Sequence, residues 1–132
     1  MMNIGCDIEN VETFRKKWKD GDMKFFEKIF SVDEIDYCSK FKDPFTHFAA
    51  RFCAKEAVVK AASDYCKLVI SDVQVVKNKN GAPEIKVWKK RKSTENFFSK
   101  HRIMVSLSHT SDMAMACVLI QPLSGRGRRL AW

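Results

Sequence analysis

The spacing of apolar side chains along this chain changes period several times, and each change marks an element. From Met2 to Val11 polar and apolar residues alternate, which predicts a strand with Asp7 and Glu9 on one face and Cys6 and Ile8 on the other. From Val11 to Phe30 the period becomes helical, interrupted at Asp20-Gly21-Asp22. Phe25, Phe26, Ile29 and Phe30 supply its core side, and Lys24 and Lys28 form an exposed i, i+4 pair. Ser31-Val32-Asp33-Glu34 reads as a capping box opening a short helix through Cys38 and Phe41. Asp43-Pro44 opens the longest helical stretch, which runs to about Ser63 with Pro44 at its first position.

In the second half, Val69 to Val76 and Glu84 to Trp88 read as strands, with the hairpin signal Asn80-Gly81 between them. Lys89 to Lys100 fits either a short helix or a basic loop. Ile103 to Ser108 and Met113 to Ile120 read as a second strand pair, turning at His109 to Asp112. Strands arranged around one long helix imply an α+β fold, an antiparallel sheet packed on that helix. No internal repeat is visible, so residues 1–121 are expected to form a single domain. Residues 122–132 read as a basic, disordered tail.

Composition removes several classes of protein. A chain of 132 residues buries enough surface to fold without a staple. No apolar run approaches the roughly 20 residues of a membrane span, and the first residues do not resemble a signal peptide. The five cysteines are scattered with no C-x-x-C pair, which predicts reduced thiols in the cytoplasm and no zinc site. The net charge of +8 is unevenly placed: residues 77–102 carry nine basic side chains against two acidic ones. That favours an anionic partner, whether nucleic acid, a phosphorylated cofactor or an acidic protein; a solvated face kept for solubility is the plainer alternative.

Three segments hold candidate chemistry. On the long helix, Arg51 and Lys55 are like charges at i, i+4, an unfavourable spacing unless an anion lies between them. Glu56 and Lys60 share that spacing, and by themselves read equally as a surface ion pair. Asp7 follows Gly5 in an otherwise apolar strand, where a carboxylate needs a donor or a hard cation such as Mg²⁺; Glu9 points the same way. Ser106-Leu107-Ser108-His109-Thr110 combines hydroxyls and an imidazole suited to phosphate, or forms a polar hairpin end.

Taken together and in this order, Ile4-Gly5-Cys6-Asp7-Ile8, Arg51-Phe52-x-Ala54-Lys55-Glu56-Ala57-x-x-Lys60-Ala61 and Ser106-x-Ser108-His109-Thr110 resemble the holo-[acyl-carrier-protein] synthases of the 4′-phosphopantetheinyl transferase superfamily. Phe25 to Ile35 and Asn80-Gly81-x-Pro83 fit as well, so the resemblance spans about Asn3 to Ile120. It implies Mg²⁺-dependent transfer of phosphopantetheine from coenzyme A to a serine of an apo acyl carrier protein, with release of adenosine 3′,5′-bisphosphate. By position it implies Asp7 and Glu56 as metal ligands, with Glu9 a further candidate, and Asp7, Glu56 and Lys60 as the catalytic set. Glu56 or a metal-bound water is implied as the base. Arg51, Lys55, Lys60, Ser108 and His109 are implied to bind coenzyme A, and Lys24 and Lys28 to dock the acidic carrier protein.

The resemblance further implies a cytoplasmic homotrimer with active sites between subunits, serving fatty acid biosynthesis. Thr13, Phe14, Ser63, Ala82 and Ser111 depart from the family's usual residues. A small nucleic-acid-binding module, resting on Lys86, Lys89, Lys90, Arg91 and Lys92, on Arg126, Arg128 and Arg129 of the tail, and on Trp88 as a stacking surface, is the rival reading. It leaves Asp7, Glu56 and the Ser-x-Ser-His-Thr segment unexplained.

Overall fold

A computed structural model describes residues 1–123 of the chain. Strand β1 (Asn3–Asn10) leads without a loop into helix α1 (Val11–Lys19), and Gly21, at φ 73°, turns the chain into α2 (Met23–Ile29). Helix α3 (Val32–Ser39) opens on the predicted capping box, with Ser31 accepting from the Glu34 N–H and Glu34 accepting from the Ser31 N–H. Helix α4 (Pro44–Ala62) is the long central helix, its first turn capped by Asp43. The antiparallel hairpin β2 (Val73–Lys77) and β3 (Pro83–Val87) follows, then α5 (Lys92–Lys100), β4 (His101–His109) and β5 (Met113–Pro122).

The architecture is α+β with antiparallel pairing throughout, divided between a three-stranded sheet of order β1-β5-β4 and the separate β2-β3 hairpin. The strand expected from Val69 begins only at Val73. Ile70–Asp72 form a 3₁₀ turn instead, because the Asp72 carboxylate accepts from the Val69 N–H at 2.8 Å and holds the chain in a bend. The segment left open as helix or basic loop is helical from Lys92, with Thr94 buried and bonded back to the Arg91 N–H. Pro122 still pairs with His101, and the Leu123 N–H donates to the Lys100 carbonyl. Strand β5 therefore runs to Pro122; residues 124–132 of the expected tail lie outside the described residues.

Helix α4 is buried on most of its circumference because three layers close on it. Phe48 packs among Phe26 and Phe30 at ring separations of 4.9 and 5.0 Å, and Phe52 meets Phe14 at 5.4 Å. The opposite side carries Cys53, Ala57 and Ala61, small residues that let the sheet come close. Contact is tightest at Gly5, where an added Cβ would lie 2.2 Å from the Ala57 carbonyl oxygen and 2.9 Å from the Ala61 nitrogen. No side chain fits there, so glycine sets the distance between strand and helix. Elsewhere a buried ion pair ties the layers together. Glu34 accepts from Lys55 Nζ at 2.6 Å and, through its second oxygen, from the Val75 N–H at 3.0 Å, joining α3, α4 and β2.

Gly5→Ala is expected to lower stability by about 3 kcal/mol or more, since both atoms it meets are backbone and cannot yield. Chemical denaturation of the variant, or its failure to accumulate as folded protein, checks this.

Candidate active site

Pleating of β1 sends Gly5, Asp7 and Glu9 toward α4 and leaves Ile4, Cys6 and Ile8 on the exposed outer face. Because Gly5 brings the strand against Ala57 and Ala61, Asp7 and Glu9 come within interaction range of Glu56 and Lys60, one turn apart on the helix. Lys60 Nζ donates to Asp7 Oδ1 at 3.0 Å and to the Cys6 carbonyl at 3.2 Å. The Asp7 side chain is only 10% exposed, and its Oδ2 is buried with no donor. Burial first, then Asp7 beside it, pushes the Glu9 carboxyl up to about 7, with Lys60 pulling the other way. Burial and Asp7 raise Glu56 as well.

Three carboxyl groups therefore face one ammonium. Such a site is short of positive charge, and an orphaned buried carboxylate oxygen fits a hard divalent cation. Among the described residues no three His, Cys, Asp or Glu side chains close into a metal cage. Mg²⁺ usually takes one or two carboxylates and completes its shell with phosphate and water. Beside this cluster a cavity of about 380 Å³ is lined by Lys28, Ile29, Glu56, Val59 and the 68–71 loop. Lys24 stands one turn before Lys28 on the exposed side of α2.

The expected coenzyme A ligands divide. Arg51 is 6% exposed, and its guanidinium lies 4.1 Å from the Tyr37 ring centre. Its Nε is buried without a partner, and among the described residues no carboxylate pairs with it. His47 stands one turn earlier, stacked on Phe41 at 3.6 Å and 5.7 Å from the His109 ring. Burial first, then Arg51 and His109, lowers its pKa. Lys77 reaches the Tyr37 ring from β2. Exposed Ser108 and His109 border a small hollow with Ile8 and Met115. Cations and ring faces gathered around an unpaired buried guanidinium fit a nucleotide phosphate.

Tyr37, Phe41, His47 and Lys77 went unrecognised in the sequence. Only His47 left a signal there, at i−4 from Arg51. Phe14 is a core residue, 1% exposed.

Lys55 does not join this group. It is 0% exposed, and its Nζ donates to the Ile29 carbonyl and Glu34 at 2.6 Å each. In this structure it serves the packing, since an ammonium with those two bonds would leave Glu34 buried and uncompensated if it turned outward.

The sequence profile of the 4′-phosphopantetheinyl transferase superfamily matches residues 3–118. The chain belongs to that superfamily. A curated relative, the holo-[acyl-carrier-protein] synthase of Thermodesulfovibrio yellowstonii, is 37% identical over 117 residues, covering 89% of this chain and 96% of its own. The Helicobacter pylori holo-[acyl-carrier-protein] synthase, solved in complex with coenzyme A, superposes with a TM-score of 0.74 at 30% identity, over 89% of this chain and 99% of its own. The fold is shared too with the acyl-carrier-protein synthase–coenzyme A complex from Chronobacterium ammoniagenes, at TM-score 0.75 and 23% identity over 94% of this chain and 99% of its own.

Lys55→Ala is expected to cost about 3–5 kcal/mol of stability, the penalty of stranding a buried Glu34. A fall in denaturation midpoint checks it; an unchanged midpoint with weakened coenzyme A binding would restore the ligand role.

Proposed function

We propose that this protein transfers the 4′-phosphopantetheine of coenzyme A to a serine of an apo acyl carrier protein, releasing adenosine 3′,5′-bisphosphate. The observation that carries this reading is the carboxylate cluster of Asp7, Glu9 and Glu56, with its one orphaned oxygen, held against Lys60. The serine oxygen bonds to the phosphorus nearest the pantetheine, the phosphoanhydride bond to the 5′-phosphate breaks, and the serine proton passes to a base. Asp7 and Glu56, joined by Glu9, would hold Mg²⁺, which when bound supplies charge neutralisation for the diphosphate.

Glu56, which lines the cavity, would be the protein's own candidate base for the serine proton. Lys60, with an exposed ammonium, is free to move from Asp7 to the phosphate that gains charge as the bond breaks. Arg51, with Ser108 and His109, holds the nucleotide phosphates. Lys28, on the rim of the Glu56 cavity, and Lys24, one turn before it on α2, meet the acidic carrier.

The two halves of this machinery face apart. Glu56 and Lys60 are rotated about 140° and 180° from Arg51 around α4. One chain therefore cannot wrap both around a single coenzyme A, and a neighbouring copy supplies the second half. The outer sheet face, with Ile4 75% and Ile8 61% exposed beside Met115, supports that assembly, in the homotrimer typical of the family. Five free cysteines suit a reducing cytoplasm, and supplying holo carrier protein places the enzyme in fatty acid biosynthesis.

Intact mass of an apo carrier incubated with coenzyme A and the protein tests the reading: a phosphopantetheine-sized gain with Mg²⁺ and none with chelator is expected. Asp7→Ala and Glu56→Ala should each reduce turnover about 10²-fold or more while melting as folded protein. Normal turnover in either variant removes the metal assignment. Lys24→Glu with Lys28→Glu should lower kcat/KM for the carrier about tenfold and leave KM for coenzyme A in place.

A further inference from the structure

The basic stretch between β3 and α5 is not used by the chemistry above, yet it is a built surface. Trp88 donates its N–H to the Asp72 carbonyl, and Arg91 grips the Asp72 carboxylate through Nε at 3.1 Å and a second nitrogen at 2.6 Å. Buried Thr94 donates to the carbonyl of Arg91 or of Lys89. This pins residues 88–94 at both ends and presents Lys89, Lys90 and Lys92 outward, all exposed. Among the described residues none of the three has a carboxylate partner, whereas Lys86 and Arg91 do.

Their location follows from Asp72. That residue adjoins Ile70 and Ser71, which wall the cavity holding Glu56, and it caps the Val69 N–H in the same wall. Lys28 lines the same cavity. The Trp88 ring lies 4.8 Å from Lys55 Nζ, which itself donates to the carbonyl of Ile29, a residue lining the Glu56 cavity, so the segment carrying the three lysines leaves from beside that cavity. The half-buried Trp88 ring, already engaged by Lys55 at 4.8 Å and Lys89 at 5.5 Å, offers little stacking surface to a base, which weighs against nucleic acid.

We propose that Lys89, Lys90 and Lys92 form a second docking contact for the acidic carrier protein, in addition to the one on α2. This role rests on the transfer activity proposed above. Two basic contacts orient an acidic surface as well as attract it, so that the serine is presented toward Glu56.

The test is a triple variant, Lys89→Glu, Lys90→Glu and Lys92→Glu, compared with wild type in carrier kinetics over a salt series. Lys79→Glu, at the exposed tip of the hairpin, controls for a charge reversal elsewhere on the surface. The expected result is a tenfold or greater fall in kcat/KM for the carrier at low salt, shrinking toward wild type by about 0.5 M as charges are screened, with KM for coenzyme A unchanged. If the reversal variant does not fold, the corresponding glutamine triple should still lose several-fold and show a shallower salt slope. Full carrier kcat/KM in a folded variant, beside an active wild type, overturns the docking role alone. A wild type that modifies no carrier overturns the transfer reading and this role with it. Salt-sensitive binding of a DNA or RNA oligonucleotide, lost in a triple variant with normal carrier kinetics, assigns the surface to nucleic acid and likewise overturns it.

Discussion

Backbone contact between β1 and α4 at Gly5 governs the geometry of this molecule. With 2.2 Å between a hypothetical Cβ and the Ala57 oxygen, the strand lies as near the helix as a peptide chain can. Everything chemically active in the acidic cluster depends on that closeness. Asp7 and Glu9 follow Gly5 at strand spacing and so share its face, while Glu56 and Lys60 border Ala57 and Ala61 on the helix. A larger residue at position 5 would push the carboxylates away from each other and toward water. The raised pKa values of Glu9 and Glu56 and the orphaned Asp7 oxygen would then disappear, and with them the unbalanced negative charge that invites a cation.

Four charged residues within ten positions of α4 meet four different environments. Arg51 is buried against Tyr37 with an unsatisfied Nε. Lys55, one turn on, is sealed in the core with Glu34. Glu56 lines the cavity beside the acidic cluster, and Lys60 reaches back to Asp7 with its ammonium in solvent. Helical rotation separates them, since each residue turns by about 100° and successive neighbours therefore point into different layers. The same rotation keeps Arg51 away from Glu56, so the two side chains face different layers of the molecule.

Surface charge follows a comparable logic. Asp72, a buried carboxylate, both shapes the 68–71 loop that lines the Glu56 cavity and anchors Arg91 of the basic Trp88–Lys92 segment. A bend that interrupts an expected strand is in this way also the joint that positions a basic segment.

Much of this was legible in the sequence. Local rules placed the Asp20-Gly21-Asp22 break, the Ser31 capping box, Pro44 at the start of the long helix and the Asn80-Gly81 turn, because caps and turns depend on side chains within four residues. Motif order pointed to Asp7, Glu56, Lys60, Arg51, Ser108 and His109, and of these the packing brings Asp7, Glu56 and Lys60 together. Sequence could not separate Lys55 from Arg51, since the partner that claims Lys55 is Glu34, 21 positions away on another helix. Nor could it show Tyr37, Phe41, His47 and Lys77 converging on Arg51 from three elements, or Asp72 turning Ile70–Asp72 out of the strand with Arg91 as its partner. Periodicity reports which face a residue occupies, whereas the identity of the layer that covers that face is a long-range fact. Only the packing of β1, α3 and the hairpin around α4 decided it.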